Sequence, residues 1–509
     1  MGPGAVLLAR LPGECREAEE ARVKAALILA TQQFAEHPAY SDEDIQEFFF
    51  IESAPRFAKL PYHRHKIVLL LSAMRHTAAR LEAEGRTVRR ITLDDGLSFK
   101  AGLEKLLKTH RVTELTWMSD PNRPVDERIA RICADHDIET DVLSDGLFLT
   151  PEEDVDGWFA EHPTPLMEDF YHWQRRRTGI LMDGGRPAGR RWNFDADNRK
   201  ALPKKGVEIP PLPQVEHGEI TRAVIAEVDE RYPEHPGSAG DFWLPVTPEQ
   251  SRDWLDVFVA ERLYDFGRYE DAMRADEPFL FHAIISPLLN IGLLTVEEVV
   301  AAATRTDAPL ASVEGFVRQV IGWREYMRGM YRAHPKLEHV NALHLEKRIE
   351  KYWYSGDRMP RDLPLPVRTV LERVHRWGYA HHIERLMVLG NWFLLQGYAP
   401  RQVNAWFLAL FVDAYDWVMV PNVMGMSQFA DGGFVATKPY VSGGAYLQKM
   451  GSWWPSAQDA KDSVFTDAYW AFLERHEDVL AGNHRLGLAL AQMRKRRDER
   501  DPDGDGPNS

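Results

Sequence analysis

Short apolar runs and longer amphipathic stretches alternate along the first third of the chain. Two apolar runs and three strand-like segments lie at 25–29, 47–52, 89–95, 112–120 and 138–149. Between the second and third of these, residues 66–85 carry apolar side chains at helical spacing and predict an amphipathic helix. Strands that alternate with helices indicate a parallel sheet, so we expect a Rossmann-like α/β domain at about 22–150.

The second half of the chain has the apolar spacing of helices. From Thr247 onward this pattern continues with few breaks, and we expect an all-helical domain at 245–490. The intervening segment 151–244 is rich in proline and charge and is expected to be a connector that carries an Arg-rich loop. The ends at 1–21 and 491–509 lack apolar anchors, so we expect a disordered or irregular N-terminus and a disordered charged tail.

Cysteine content and hydropathy exclude several classes of protein. The 509 residues include only Cys15 and Cys133, which excludes a disulfide framework and leaves too few thiolates for a cysteine-ligated metal or cluster. No apolar run approaches the ~20 residues of a membrane span, and the N-terminus lacks the pattern of a secretory signal. We therefore expect a cytoplasmic protein with no membrane association, no bound metal and a monomeric state.

The chain is acidic overall but contains one locally basic segment. A formal net charge of −15 argues against a globally basic nucleic-acid binder. Nevertheless, arginines and lysines cluster at 175–200, and the candidates for DNA contact among them are Arg176, Arg190, Arg191 and Lys200. A solvated loop is one interpretation of this cluster. A surface that contacts phosphates is the other, because such side chains neutralise backbone charge.

Polar groups interrupt apolar helical sequence at 376–440. Arg385 and Asn391 share a predicted helix with large apolar residues, and Asp413 lies in the apolar run 405–417. A buried carboxylate is costly without a partner, and Arg385 is a candidate partner for Asp413. Many aromatic residues with a few placed polar groups are what a large planar cofactor requires.

Five segments in this order resemble the photolyase/cryptochrome flavoproteins, with the closer match in the prokaryotic (6-4) photolyase branch. They are KIVLLLSAMRH (66–76), RRRTGILMDGGRPAGRRWNFDADNRK (175–200), EPFLFHAIISPLLNIGLL (277–294), EGFVRQVIGWREYMRGMY (314–331) and 376–440, which contains YAHHIERLM and MSQFADGG. The resemblance implies an α/β domain followed by a helical FAD-binding domain, and damaged DNA, double- or single-stranded, as the partner.

The resemblance also implies the residues that surround FAD. Ser286 stands near a predicted helix start, where a hydroxyl and backbone N–H groups suit a pyrophosphate. Arg385 would balance a reduced, anionic flavin and would itself be held by Asp413. The positions that match the family's cofactor-binding residues are His282, Ser286, Gln319, Arg324, Arg385, Asn391, Asp413 and Met419.

Two adjacent histidines match the family's lesion-facing position. The resemblance makes His382 the proton donor in (6-4) repair, a role that suits a group titrating near neutrality. His381 is its neighbour, and adjacent helical residues point to different faces, so one of the two is expected to be structural. Tyr440 completes the catalytic candidates, and both it and Met426 match lesion-pocket positions.

The chain departs from the family at the cluster and antenna sites. The cluster cysteines are replaced by Pro366, Trp454, Ala457 and Ser463, so no iron–sulfur cluster is expected. The family's glycine-containing antenna turn aligns with 30–34 (ATQQF), where no glycine permits close backbone approach, which makes an antenna chromophore doubtful.

The redox residues also differ from the family pattern. Met419 occupies the position that faces flavin N5, and a thioether cannot donate a proton there. In the electron-transfer chain, Trp406 matches, whereas Phe407 replaces a tyrosine and Tyr354 replaces a tryptophan. Trp353 is a candidate substitute relay.

Three functions are consistent with this sequence. The first is a DNA photolyase, a carbon–carbon lyase that repairs (6-4) photolesions by light-driven electron transfer from reduced FAD. The retained His382, Tyr440 and basic loop favour it. The second is a cryptochrome-like blue-light photoreceptor without repair activity, favoured by Met419 and the altered redox chain. The third is a non-repair flavoprotein, or a structural protein with an empty pocket.

Overall fold

The N-terminal region is built on a five-stranded parallel sheet. The computed structural model describes residues 22–437 and 439–500. The strands are β1 Lys24–Leu27, β2 Ile45–Ile51, β3 Thr87–Ile91, β4 Glu114–Met118 and β5 Glu139–Leu143. They are ordered β3-β2-β1-β4-β5, and every neighbouring pair is parallel. The expected α/β fold is confirmed, and each strand overlaps one of the five segments identified in the sequence.

Helices connect the strands and cover the sheet. They are Ala54–Phe57, Arg64–Ala83, Phe99–Thr109 and Pro124–Ala134. The helix Arg64–Ala83 confirms the amphipathic helix predicted at 66–85, and most of its side chains are buried. It is buried on several sides because it packs both against the sheet and against the helical region that follows.

The segment predicted to be a connector contains regular structure. Its elements are the helices Glu152–Glu161, Met167–Thr178 and Glu219–Arg231 and a short hairpin of Met182–Asp183 with Arg186–Pro187. Trp158, Phe159 and Phe170 pack with Tyr326 in one apolar cluster. The first part of the segment is therefore packed onto the helical region, and the predicted connector contains helices as well as the Arg-rich loop.

The C-terminal region is helical, as expected. Its principal α-helices are Pro248–Glu261, Leu263–Tyr269, Val296–Thr304, Leu310–Val317, Glu325–Ala333, Leu365–Trp377, Asn391–Leu395, Pro400–Leu410, Asp416–Val420, Gly444–Gly451, Val464–Arg475 and Gly487–Arg500, with shorter turns at Ser286–Leu289, Tyr352–Ser355, Ala457–Lys461 and Glu477–Leu480. The last long helix overlaps the tail expected to be disordered from 491, so that expectation is wrong for residues 491–500. The remainder of the predicted tail, and the N-terminus predicted to be irregular at 1–21, lie outside the described residues. Within the described ranges, no helix is both long and apolar enough to cross a membrane.

Three stretches of the helical region have π-helical geometry. They are Arg318–Arg324, Glu384–Gly390 and Pro421–Ser427. Such wide turns are rare and occur frequently at functional sites. Each of the three contains candidate site residues from the sequence, so the irregular backbone and the candidate chemistry coincide.

Candidate cofactor and substrate site

A bidentate ion pair joins two helical segments at the centre of the candidate site. The two terminal nitrogens of Arg385 donate to the two carboxylate oxygens of Asp413, each at 2.9 Å. Ser286 Oγ donates to Asp413 Oδ2 at 2.6 Å. The pairing predicted from the sequence therefore forms, and the structure adds Ser286 to it. Planar fork-to-fork pairing fixes the orientation of both groups as well as their charge.

Asn290 extends this network and was not identified from the sequence. Its Nδ2 donates to the backbone oxygen of Asp413 at 2.9 Å, and its Oδ1 accepts from Arg324 Nε at 3.2 Å. Arg324 also donates to Leu147 O at 2.7 Å and lies over Phe148. Through these contacts the guanidinium of Arg324 links the helical region to the segment after β5 and holds Asn290, while its role in cofactor binding stays a prediction.

Electrostatics keep Asp413 ionised. Burial alone would raise its pKa, but the charge and hydrogen bonds of Arg385, with the bond from Ser286, lower the pKa below its ordinary value. The guanidinium of Arg385 is sandwiched between aromatic rings, 4.7 Å from the Tyr379 centroid and 4.4 Å from that of Phe411. Arg385 is thus a fixed positive charge in an aromatic setting.

Two histidines stack beside this pair. The rings of His282 and His381 are 4.4 Å apart and inclined by 11°. Burial, followed by neighbouring charges, lowers the pKa of His282 to about 3 and that of His381 well below its usual range. His381 is fully buried, and its Nε2 lies 3.6 Å from Glu384, which also pairs with Arg373. Of the two adjacent histidines, His381 is thus the one enclosed in the protein, and its catalytic role stays a prediction.

His382 faces open space but is surrounded by protein. Its side chain is exposed, yet burial, with smaller contributions from Arg385 and Arg199, lowers its pKa to about 4. His382 and Arg385 are three residues apart on one helix and so share a face. His382 and the fixed positive charge of Arg385 are therefore adjacent.

The remaining predicted site residues differ in exposure. Asn391 is fully buried, its Nδ2 donating to Ser442 O at 3.0 Å, whereas Gln319 is exposed on its π-helical stretch. Met419 and Met426 are 6% and 5% exposed and belong to one apolar cluster with Leu386 and Met387. Tyr440 is partly buried, and burial raises its pKa.

The structure brings two of the three candidates for electron transfer, Trp406 and Trp353, into contact. Trp406 and Trp353 are both fully buried, with ring centroids 5.7 Å apart, and Trp406 Nε1 donates to Trp353 O at 2.8 Å. Trp406 also contacts Phe411, the ring beneath Arg385, at 5.7 Å between centroids. Trp353 therefore contacts Trp406 directly. Tyr354, the next residue after Trp353, is only partly buried.

The basic loop exposes its predicted DNA contacts. Arg176 is exposed at the end of its helix and lies 4.8 Å from the Trp192 centroid. Arg190 and Lys200 are also exposed, and Arg191 pairs with Asp197. Arg175, in contrast, is fully buried and donates to Trp192 O at 3.0 Å. Arg175 organises the loop and is not part of its basic surface.

The segment aligned with the antenna turn is packed into the protein. Gln32 is buried and donates to Met118 O at 2.8 Å, at the carboxyl end of β4. The Phe34 ring lies so close to Gly292 that a Cβ there would be 2.8 Å from it. Phe34 thus fills the space between the end of the sheet and the helical region.

The positions of the cluster cysteines hold non-ligating structural residues. Ser463 caps the helix Val464–Arg475 by accepting from Thr466 N at 3.3 Å, and Pro366 is buried within a helix. Trp453, next to Trp454, is 3% exposed. Within the part of the chain that the structure describes, no group of three or more His, Cys, Asp or Glu residues could hold a metal ion.

The chemistry of the site fits FAD. Buried polar atoms without a partner in the protein include His282 Nε2 and Asn391 Oδ1, which are available to a ligand. The fixed charge of Arg385 suits an anionic flavin, and the surrounding rings suit a planar group. His282, Arg385 and Asn391 are the residues that would hold it.

Comparison with known proteins identifies the family. The model of the deoxyribodipyrimidine photo-lyase-related protein family matches residues 26–244. The (6-4) photolyase of Agrobacterium fabrum is 36% identical over 445 residues, which cover 84% of this chain and 87% of that protein. The chain therefore belongs to the photolyase family, and the resemblance inferred from the five sequence segments is confirmed.

Solved structures confirm the fold. A class III photolyase from Agrobacterium tumefaciens aligns with a TM-score of 0.53 and 15% identity over 83% of each chain. A photolyase from Sulfolobus tokodaii, solved with two FAD molecules, aligns with a TM-score of 0.55 and 12% identity over 94% of this chain and 100% of that one. A cryptochrome from Synechocystis has a TM-score of 0.55 at 13% identity.

Proposed function

We propose that this protein is an FAD-dependent photolyase that repairs (6-4) pyrimidine photolesions in DNA. The observation that carries the proposal is the adjacency of His382 to the Arg385–Asp413 pair on one helix face. An exposed imidazole lies beside a charge suited to a reduced flavin. The similarity to a (6-4) photolyase supports the same substrate class.

The residues around the pair position the cofactor and control its charge. Reduced FAD, when bound, supplies the light-excited electron that the lesion receives. Arg385 stabilises negative charge in the site, because Asp413 holds its guanidinium at 2.9 Å in a fixed plane. Asn290 and Ser286 keep Asp413 in place from two sides. This shell needs little reorganisation during the reaction.

His382 carries the proton chemistry of the proposal. An imidazole nitrogen of His382 gives a proton to the reduced lesion, as expected of a positioned general acid. Because burial lowers its pKa to about 4, the protonated form is a minor species near neutrality. The negative charge that develops on the lesion favours that form in the complex. Met426 and Tyr440 line the pocket that receives the base.

DNA reaches the site through the basic loop. A lesion stacked in a duplex cannot reach a buried cofactor, so it must be flipped out of the helix. Arg176, Arg190, Arg191 and Lys200 supply sequence-independent contacts to the backbone phosphates. Such local contacts are compatible with the overall negative charge of the chain.

A light-dependent repair assay tests this function. The purified chain, loaded with FAD and reduced, is illuminated with an oligonucleotide that contains one (6-4) lesion, and restored thymines are quantified. His382→Ala is expected to abolish repair while it retains flavin, and His339→Ala, an exposed histidine, is the control. Retained flavin with no repair by the unaltered chain would favour a photoreceptor or another flavoprotein.

A further inference from the structure

The hydrogen-bonded aromatic chain extends beyond Trp353. Trp353 Nε1 donates to Tyr398 Oη at 3.1 Å, and Tyr398 Oη donates to Glu350 Oε2 at 2.5 Å. Tyr398 is 1% exposed, whereas the side chain of Glu350 is 42% exposed. The chain thus runs without a break from buried Trp406 to a carboxylate in contact with water.

We propose that Tyr398 is the terminal electron donor of the Trp406–Trp353 chain and that Glu350 accepts its proton. This inference rests on the proposed function, because light-excited oxidised flavin is the oxidant that first removes an electron from Trp406. Trp353 then donates an electron to the oxidised Trp406. One electron passes from Tyr398 to the Trp353 radical cation, and the phenolic proton passes to the Glu350 carboxylate. The products are neutral Trp353, a neutral Tyr398 radical and protonated Glu350.

The surroundings of Tyr398 require electron and proton to leave together. Lys347 Nζ lies 4.2 Å from the Tyr398 centroid and 3.3 Å from Glu350 Oε1. A positively charged tyrosine radical beside this ammonium would be repelled by it. Burial and the bond to Glu350 also raise the pKa of Tyr398, so the phenol is protonated before oxidation. The hydroxyl already points its proton at the acceptor.

This route bypasses the position that lacks a redox-active side chain. Phe407 contacts Trp406 with centroids 5.1 Å apart, but it leads to Phe411 and not to the surface. Trp353 instead touches Trp406 from the helical turn Tyr352–Ser355. The replacement of a tyrosine by Phe407 therefore leaves an intact path for the electron. Tyr398, which the sequence did not single out, supplies its end.

Transient absorption and electron paramagnetic resonance of the flavin-loaded full chain test the inference. After a blue flash, the unaltered chain is expected to show a tryptophan radical that converts to a neutral tyrosyl radical. Tyr398→Phe should remove the tyrosyl signal and prolong the tryptophan radical. Glu350→Gln should slow the conversion at least about tenfold, because an amide cannot take the proton that a positioned base accepts.

A matched variant and a solvent exchange complete the experiment. Tyr469→Phe removes another tyrosine that lies beside a tryptophan, with centroids 4.9 Å apart, and it should leave the signal unchanged. Deuterated water should slow the conversion in the unaltered chain. An undiminished tyrosyl signal in Tyr398→Phe, or no tyrosyl radical in the unaltered chain, would overturn the inference while flavin photoreduction still supported the proposed function. A chain that binds no flavin would overturn both.

Discussion

Asp413 accepts both terminal nitrogens of Arg385 at 2.9 Å, and it is 5% exposed. Ser286 also donates to this carboxylate, and Asn290 donates to the backbone oxygen of Asp413. No single partner of this network can be removed without leaving a charged or polar group unpaired in a desolvated place. The Arg385–Asp413 pair therefore links the stability of the helical region to its capacity to bind flavin.

Removing the negative charge of Asp413 should destabilise the protein and weaken flavin binding. Asp413→Asn leaves the guanidinium of Arg385 without its counter-ion, which costs about 3 kcal/mol when a buried pair is broken. Urea unfolding and flavin absorbance of the purified variant measure the two effects. Asp276→Asn breaks an exposed pair with Arg274, at 2.7 Å, and should cost no more than about 1 kcal/mol. Equal effects of the two substitutions would contradict this account.

Acid should act on the same pair. Because the pKa of Asp413 is lowered in the folded state, its contribution to stability is fully present above the unfolded value of 3.8. That contribution is lost as the pH falls through the lower folded value. The unaltered chain is expected to be more stable than Asp413→Asn near neutral pH. This difference in unfolding free energy should shrink below about pH 4. A difference that stays constant on acidification would count against the ion pair.

Lys66 should give the protein a pH dependence on the alkaline side. Burial lowers the pKa of Lys66 from 10.5 to about 7, and its Nζ donates to Leu408 O at 3.0 Å and to Ala414 O. Between these two values the unfolded chain binds a proton that the folded chain lacks, so stability rises with pH. The slope is at most about 1.4 kcal/mol per pH unit.

Substitution of Lys66 tests that slope. Lys66→Met lowers the overall stability, because two carbonyls lose their donor, but it should also remove the rise in unfolding free energy between about pH 7 and pH 10. Lys108→Met, at an exposed position, should retain the rise. Parallel pH profiles of Lys66→Met and the unaltered chain would show that Lys66 does not titrate in that window.

Repair should depend on pH through His382. With a pKa of about 4, the imidazolium fraction grows roughly tenfold for each pH unit of acidification towards that value. Single-turnover repair by the reduced protein should accelerate as the pH falls from about 8 to about 5. In His382→Ala, which lacks the proton donor, repair should be absent across this pH range. A pH-independent rate in the unaltered chain would remove His382 as the proton donor.

The basic loop should determine the salt dependence of DNA binding. Arg176→Ala removes an exposed guanidinium from a helix end and should reduce the slope of log affinity against log salt by about 0.9. Fluorescence anisotropy with a labelled duplex measures the slope. Lys495→Ala, at a side chain that is 79% exposed on the last helix, should leave it unchanged. An unaltered slope for Arg176→Ala would show that Arg176 does not contact the DNA phosphates.

The sequence predicted the elements whose pattern is local. Apolar runs identified β1 and β2 because a buried parallel strand is apolar on both faces. The edge strands β3 and β5 are mostly exposed and were recognised as strand-like segments instead. The Arg385–Asp413 pair was predictable because a carboxylate in an apolar run needs a partner. The helix Met167–Thr178 was missed, since its charged C-terminal end resembled a loop, and Arg175 within it is buried despite its charge.

Other site features depend on contacts between distant segments. Asn290 stands in an apolar run with nothing to mark it, and only the fold brings it to the backbone of Asp413, 123 residues away. The contact of Trp353 with Trp406 likewise joins segments 53 residues apart. Hydropathy and spacing contain no information on such pairings, so the oxygen atoms that accept hydrogen bonds from Arg324 could not be predicted either.

The most direct test of the central claim is light-dependent repair of a single (6-4) lesion by the reduced, flavin-loaded chain. Restored thymines are measured after blue illumination, with the same mixture kept in darkness and with His382→Ala. The account predicts repair in the light alone, and its loss in the variant while flavin remains bound. A reduced, flavin-loaded chain that leaves the lesion intact under illumination would contradict it.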